Sequence, residues 1–294
     1  MASHPVSFVS MIVVLLFILI GFIGPIIAPY TFDEIQRGEN RAALRNTPPS
    51  DEFIMGTDSR GRDVLSRLLW GARDTIGLPA IATTFAVLFG TIIGLTSAYY
   101  GGWVDEVLSR IIDSLLALPA LVLALVILTT VEPLLNNTDF PIITQFVQQF
   151  GSTTISLTIV IVLLYVPIVA RVVRSATLNI RDRGYIEAAK LRGESSIYIM
   201  FREILPGVLP ALVVEASLRF SYAIFLVASL GFLGLGAQPP APEWGRMVLD
   251  ARETANLAPW NMTFPVVAIA ILIVSINLMS DGLRRVLRNE DERE

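Results

Sequence analysis

The chain has 294 residues, 22 of them basic and 26 acidic for a net charge of −4; 53% of its side chains are hydrophobic, 16% are charged, and the mean hydropathy is +0.64. That balance excludes a water-soluble surface and marks a membrane protein. No cysteine and one histidine, His4, exclude disulfide frameworks, thiolate nucleophiles, iron–sulfur clusters and histidine-built zinc sites, while the net acidity speaks against a nucleic-acid partner, which needs a basic face.

Charge-free stretches run over residues 5–32, 75–104, 114–131, 140–170, 220–242 and 254–280. A helix needs roughly 20 apolar residues to cross a ~30 Å hydrocarbon core, so six spans are expected, near residues 6–28, 76–100, 114–134, 153–173, 210–236 and 264–280. The first is expected to remain as an anchor and not to be cleaved as a signal peptide. No Lys or Arg precedes it, and no small-x-small site follows. An even number of spans puts both termini on one side. With the termini inside, twelve basic residues fall on inner segments and nine on outer ones, too small a bias to orient the chain by itself. The implied division is an N-terminal helix (1–30), a long extracytoplasmic loop (31–75), a five-helix core (76–281) and a tail (282–294).

The first long loop carries Asp58, Arg62, Asp63, Arg67 and Arg73 close enough in sequence to interlock. It reads either as a docking surface or as a salt-bridged cap on the helices. Surface pairs are worth only ~0–1 kcal/mol each, so the cluster would set shape more than stability. Asn136-Asn137-Thr138 and Asn261-Met262-Thr263 match the glycosylation sequon, with no modification assigned.

Between the fourth and fifth spans lies a polar segment, Arg174 to Pro210, with room for two short helices. Asp182 is expected to cap the first, which contains Ile186, Glu187, Ala188 and Ala189. Gly193 would stop it, and Ser195 or Ser196 would cap a second helix containing Ile197, Met200, Phe201 and Ile204. From physics alone this is equally a groove-docking helix or a solvated connection. Within the fifth span, Glu215 and Arg219 sit at i, i+4, roughly 10 and 16 Å deep if the span starts near Val208. Neither should face lipid. They form a structural ion pair between helices, line a translocation path, or lie at the membrane edge if the span starts only at Phe220.

Glu187-Ala188-Ala189, Gly193 and Leu205-Pro206 resemble the EAA motif of ABC-importer permeases, with Glu203 departing from the usual apolar residue or histidine. Further blocks resemble the C-type permease of dipeptide and oligopeptide importers. They are Gly56-Thr57-Asp58, Gly61-Arg62-Asp63, Ser66-Arg67, Gly71-Ala72-Arg73, Tyr100-Gly101-Gly102 with Asp105, Arg110, Asp113 and Pro119, Gly231 to Gly236, Gln238-Pro239-Pro240 and Trp244-Gly245. The resemblance implies an all-α integral membrane fold of six helices, the type I ABC-importer permease fold, with Glu187, Ala188, Ala189, Gly193, Leu205 and Pro206 coupling to an ATPase. It also implies a multi-pass plasma or inner-membrane protein with cytoplasmic termini. The implied partners are a homologous second permease, two ABC ATPase subunits carrying ATP and Mg, an extracytoplasmic substrate-binding protein and the bilayer. The cargo would be a dipeptide or oligopeptide, with nickel or another small solute as the alternative. The chain itself has no G-x-x-x-x-G-K-[ST] phosphate loop, so no cofactor and no catalytic role are expected on it. An ion-coupled secondary transporter would instead need midplane carboxylates in related repeats, and only Glu215 is available.

Overall fold

The computed structural model describes residues 5–138 and 140–291, with side chains as far as Val286 at the C-terminal end. His4 and the side chains of Arg288 and of the acidic tail, Asn289 to Glu294, lie outside the described residues. Among those described there is no β-strand, only helices and three isolated antiparallel bridges. The helices are α1 (Pro5–Ile27), α2 (Val64–Tyr100), α3 (Gly102–Leu116), α4 (Ala120–Asn136), α5 (Pro141–Phe150), α6 (Ser152–Leu178), α7 (Gly184–Leu191), α8 (Ser196–Tyr198), α9 (Leu205–Phe232), α10 (Trp244–Ala251) and α11 (Trp260–Asp291). Among the described residues, five continuous helices are long and apolar enough to span a bilayer. The pair α3–α4, bent by 88°, makes a sixth if counted as one broken span.

Two expected boundaries shift. The third span was placed from Ser114, but α3 ends at Leu116 and α4 starts only at Ala120. Pro119 cannot donate a backbone hydrogen bond and pushes Leu118 out of the helical region, a break that a charge-free run conceals. The second span begins twelve residues before Ile76. The Asp63 Oδ2 accepts bonds from both the backbone N–H (2.7 Å) and the hydroxyl (2.6 Å) of Ser66, as an N-cap side chain does, and so starts α2 at Val64.

The chain divides into two compact units. One comprises Ala2–Ala80 and Ser221–Met279, the other Ile81–Phe220 and Ser280–Glu294. In the first, α1 buries only a small-residue stripe, Ser7, Ser10, Val14, Gly21 and Gly24. Small residues let helix backbones approach closely where lipid supplies no hydrophobic drive. A Cβ on Gly24 would lie 2.3 Å from the Leu69 carbonyl oxygen. The opposite face, with Phe22 and Ile26, is exposed for lipid. Without apolar periodicity, the long loop before α2 is tied by short bridges, Ile35 with Arg62 and Thr57 with Asp63.

In the second unit, α2 meets α6 through Gly90 and Gly94, a G-x-x-x-G spacing. Added Cβ atoms there would stand 2.6 Å from the Val169 Cβ and from the Ala170 oxygen, respectively. Below this contact Leu95, Val169, Val173, Ile180, Ile186, Ala189, Ile199, Met200, Ile204, Val208 and Leu212 form one apolar core. The segment after α6 is therefore packed onto the bundle.

Candidate functional site

In the long loop and α10, charged side chains converge inside the first unit. Arg62 and Arg67 are 3% and 2% exposed, between Asp58 and Asp250. Arg62 Nε donates to Asp58 Oδ2 at 2.7 Å, and its Nη2 lies 3.6 Å from Asp250. Arg67 reaches Asp58 at 3.7 Å and Asp250 at 3.9 Å. The Asp58 Oδ1 also accepts the backbone N–H groups of Arg60 and Arg62. These are not the surface pairs expected from sequence; they form an internal lattice. Gly56, Thr57, Gly61, Asp63 and Ser66 are buried with them, whereas Arg73 is exposed.

Trp244 is equally internal. Its indole N–H donates to the Leu68 carbonyl at 2.9 Å, its backbone N–H to the Thr75 hydroxyl at 3.1 Å, and Phe17 packs edge-on against the ring. Among the motif residues in this stretch, Gln238, Pro239 and Pro240 face outward. Beside the lattice lies an open cleft of about 700 Å³ lined by Ser59, Arg60, Arg246, Leu249, Asp250, Arg252 and Glu253.

Sequence reasoning missed two carboxylates here. Asp250 closes the lattice and pairs with Arg246 at 3.0 Å. Glu243 caps α10, accepting the N–H groups of Gly245 (2.7 Å) and Arg246 (3.0 Å). It sits in a niche left by Gly231, where a Cβ would come within 2.4 Å of its Oε2. Burial pushes its carboxyl up to about 7, opposed by the two backbone bonds and by Arg246. The only local signal for Glu243 was its place before Trp244-Gly245 at the start of an apolar-periodic run.

In the second unit the segment after α6 forms the expected helix, turn and second helix, with two corrections. Asp182 does not cap α7; the cap position is Arg183, with no side-chain bond, and Asp182 instead lies 3.4 Å from Arg181. Nor is the second helix separate from the fifth span. α8 passes through a π-helical turn, Ile199–Ile204, straight into α9, so Ser196–Phe232 is one helix. Pro206 cannot donate to the residue-202 carbonyl, and its ring crowds that oxygen; widening the preceding turn accommodates both.

Gly193 takes φ +81°, which a side chain would strain, and the Ser195 hydroxyl accepts the Tyr198 N–H at 3.3 Å. Ile186 and Ala189 face the core, while Glu187 and Ala188 face out beside Tyr185, Leu191 (89% exposed) and Ile197. Leu205 is half-buried and Pro206 exposed at the start of α9. Glu203 lies 3.6 Å from Arg192, tying the π turn to the end of α7.

Glu215 and Arg219 pair at 2.7 Å with 12% and 14% of their side chains exposed. The pair lies within α9 and not between helices, and the guanidinium also stacks 5.6 Å over Tyr165 of α6. The described residues hold no cluster of three metal-ligating side chains.

Residues 75–289 match the family model described as the binding-protein-dependent transport system inner membrane component, and residues 1–49 match the N-terminal TM domain of oligopeptide transport permease C. The chain is 37% identical over 97% of its length, and 86% of the relative's, to a dipeptide transport system permease protein of Alkalihalophilus pseudofirmus. It is 36% identical to the Haemophilus influenzae protein of the same name, over 96% and 89% of the two chains. A glutathione transport system permease protein of Pectobacterium atrosepticum is 35% identical over 93% and 83%. A solved chain of the inward-facing MetNI methionine ABC transporter shares the fold, with a TM-score of 0.56 at 20% identity, over 75% of this chain and 96% of that one.

Proposed function

Because the chain belongs to the family of binding-protein-dependent inner-membrane transport components, we propose that it is a permease subunit of an ATP-driven importer of dipeptides or short oligopeptides. Relatives named for dipeptide and glutathione transport along nearly its whole length support this cargo over a nickel complex. The chain makes and breaks no covalent bond. ATP and Mg would be held by two partner ATPase subunits, and a homologous second permease would complete the pore. An extracytoplasmic binding protein would deliver cargo to the side bearing the long loop. The termini and the α7 segment then lie in the cytoplasm.

The observation that carries this reading is the α7 surface. A short helix stands on a buried base of Ile186 and Ala189 and turns Tyr185, Glu187, Ala188 and Leu191 outward. Exposed apolar side chains rimmed by charge mark a protein contact, here the groove of an ATPase. Closure of the ATPases would push α7, and the helix bundle would open alternately to either side. The Gln238–Pro240 loop and the arginine-lined cleft supply the surface for the binding protein, with the Arg62–Arg67 lattice holding its shape.

The test is reconstitution of the chain with its second permease, ATPases and binding protein in sealed vesicles. Labelled dipeptide should accumulate only with ATP on the α7 side, and the purified chain alone should not hydrolyse ATP. Uptake driven by a proton or sodium gradient without ATP would overturn the reading.

A further inference from the structure

We propose that Arg174, Arg181 and Lys190 clasp the turn between α2 and α3 and transmit the movement of α7 to those two helices; this rests on the coupling role assigned above to α7. The three cations come from the end of α6, the link and α7, and each engages a different group of the turn. Arg174 grips Asp105 with two bonds of 2.6 Å, from Nε and Nη2 to the two carboxylate oxygens. Ser97, in the last turn of α2, donates to the same carboxylate, so one aspartate joins α2, α3 and α6. Arg181 Nη1 donates to the Ala98 carbonyl at 2.6 Å. That oxygen belongs to the last turn of α2, where carbonyls lack helical partners and a cation is favoured. Lys190 places its ammonium 5.7 Å over the ring of Tyr99.

The turn itself is tight, with Gly101 and Gly102 at φ +64° and +52°. A bidentate arginine–carboxylate pair fixes orientation as well as distance, unlike a single point charge. Arg110–Glu106 stays within one turn of α3; Arg171–Asp113 also ties α6 to α3, but through a single bond and with both ends more than half exposed. Because Ile186 and Ala189 of α7 share a core with Leu95 of α2, the polar clasp and the apolar contact act on the same stretch of α2. Displacement of α3 then reaches α4 through the break at Ala117–Pro119.

The experiment uses the reconstituted complex with its other subunits made cysteine-free, since this chain has no cysteine of its own. Arg174→Lys and Asp105→Asn keep the side-chain sizes but lose the two-pronged grip. Complexes that assemble should hydrolyse ATP yet import roughly tenfold less dipeptide per ATP. The reversed pair, Asp105→Arg with Arg174→Asp, should recover part of that ratio. A separate variant, Tyr99→Cys with Lys190→Cys, should be impaired until a short bis-maleimide bridges the two thiols, and then regain most of the wild-type ratio, because a covalent tie replaces the contact of the ammonium with the ring. Import per ATP unchanged in the assembled single variants, or a bridge that stops import, would overturn the proposal. Absence of ATP-driven import by the wild-type complex would fail the permease reading instead.

Discussion

Around Arg62 and Arg67 the chain hides its charges, and around α7 it displays its apolar side chains; each arrangement is costly in isolation. Two buried guanidiniums are tolerated because Asp58 and Asp250 stand on either side and the first also binds two backbone N–H groups. Burying charge this way adds little net stability, yet once made it permits one local shape. Leu191, Ile197 and Tyr185 have no comparable compensation within the chain. A region whose exposed side chains prefer to leave water offers a contact for another protein. The first region is thus finished as it stands, and under the coupling role proposed above the second is half of an interface.

The strongest way to break the contrast is Asp58→Ala. It leaves Arg62 and Arg67 short of a counter-charge and should cost about 3–5 kcal/mol, read as loss of folded chain in detergent. Near-wild-type melting would mean that the lattice is solvated after all. The pair inside α9 asks the same question in the other unit. Glu215→Gln and Arg219→Met should each cost on the order of 3 kcal/mol in yield and melting temperature, and the double change should recover most of it. A double variant that folds but does not transport would place the pair on the substrate path.

Next comes Glu243, which tests whether the first unit is closed to water. Its folded-state pKa is raised from 4.5 to about 7, so the folded form binds the proton more tightly than the unfolded one. Its contribution to stability is therefore fully present below pH 4.5 and is lost as pH rises through 7. Between pH 5.5 and 7.5 the loss should be on the order of 2 kcal/mol, visible as a lower melting temperature that Glu243→Gln makes independent of pH. Gly193→Leu has open space for its side chain but must hold a left-handed backbone, at roughly 1–2 kcal/mol. Insertion should survive while ATP hydrolysis and import part company. Leu191→Ser should change stability by less than about 0.5 kcal/mol, since the residue packs against nothing, yet weaken co-purification of the ATPase. Full retention of the ATPase would show that α7 is not the contact.

What the sequence disclosed follows the range of the interactions. Spans were legible because the absence of charge over 20 residues is a local property, as was the Gly193 turn with Ser195 after it. α2 was cut short because Arg67 and Asp74 argue against a membrane helix until a partner such as Asp250, nearly two hundred residues away, is known. Pro119 sat inside an uncharged run, so hydropathy could not see the break it causes. Asp182 failed as a cap because the helix starts one residue later than expected, at Gly184, which puts Arg183 in the cap position. Asp250 and Glu243 looked like ordinary loop acids; their roles depend on Arg62, Arg67 and Gly231, which only folding brings near.

The π turn at Ile199–Ile204 sets a rule about length. Since α8, the turn and the start of α9 run without interruption, the apolar positions before and after the turn hold a fixed rotational offset set by the number of residues between them. A π turn holds one residue more than the α-helical turn it replaces, so losing one residue between Ile199 and Ile204 can close it to an α-helical turn with Ile197 and Tyr198 kept in register with Val208 and Leu212, whereas one residue more would swing them by about 100°. Across descendants of this gene, that stretch is expected to lose a single residue more readily than it gains one, since only an insertion forces the two flanks out of register.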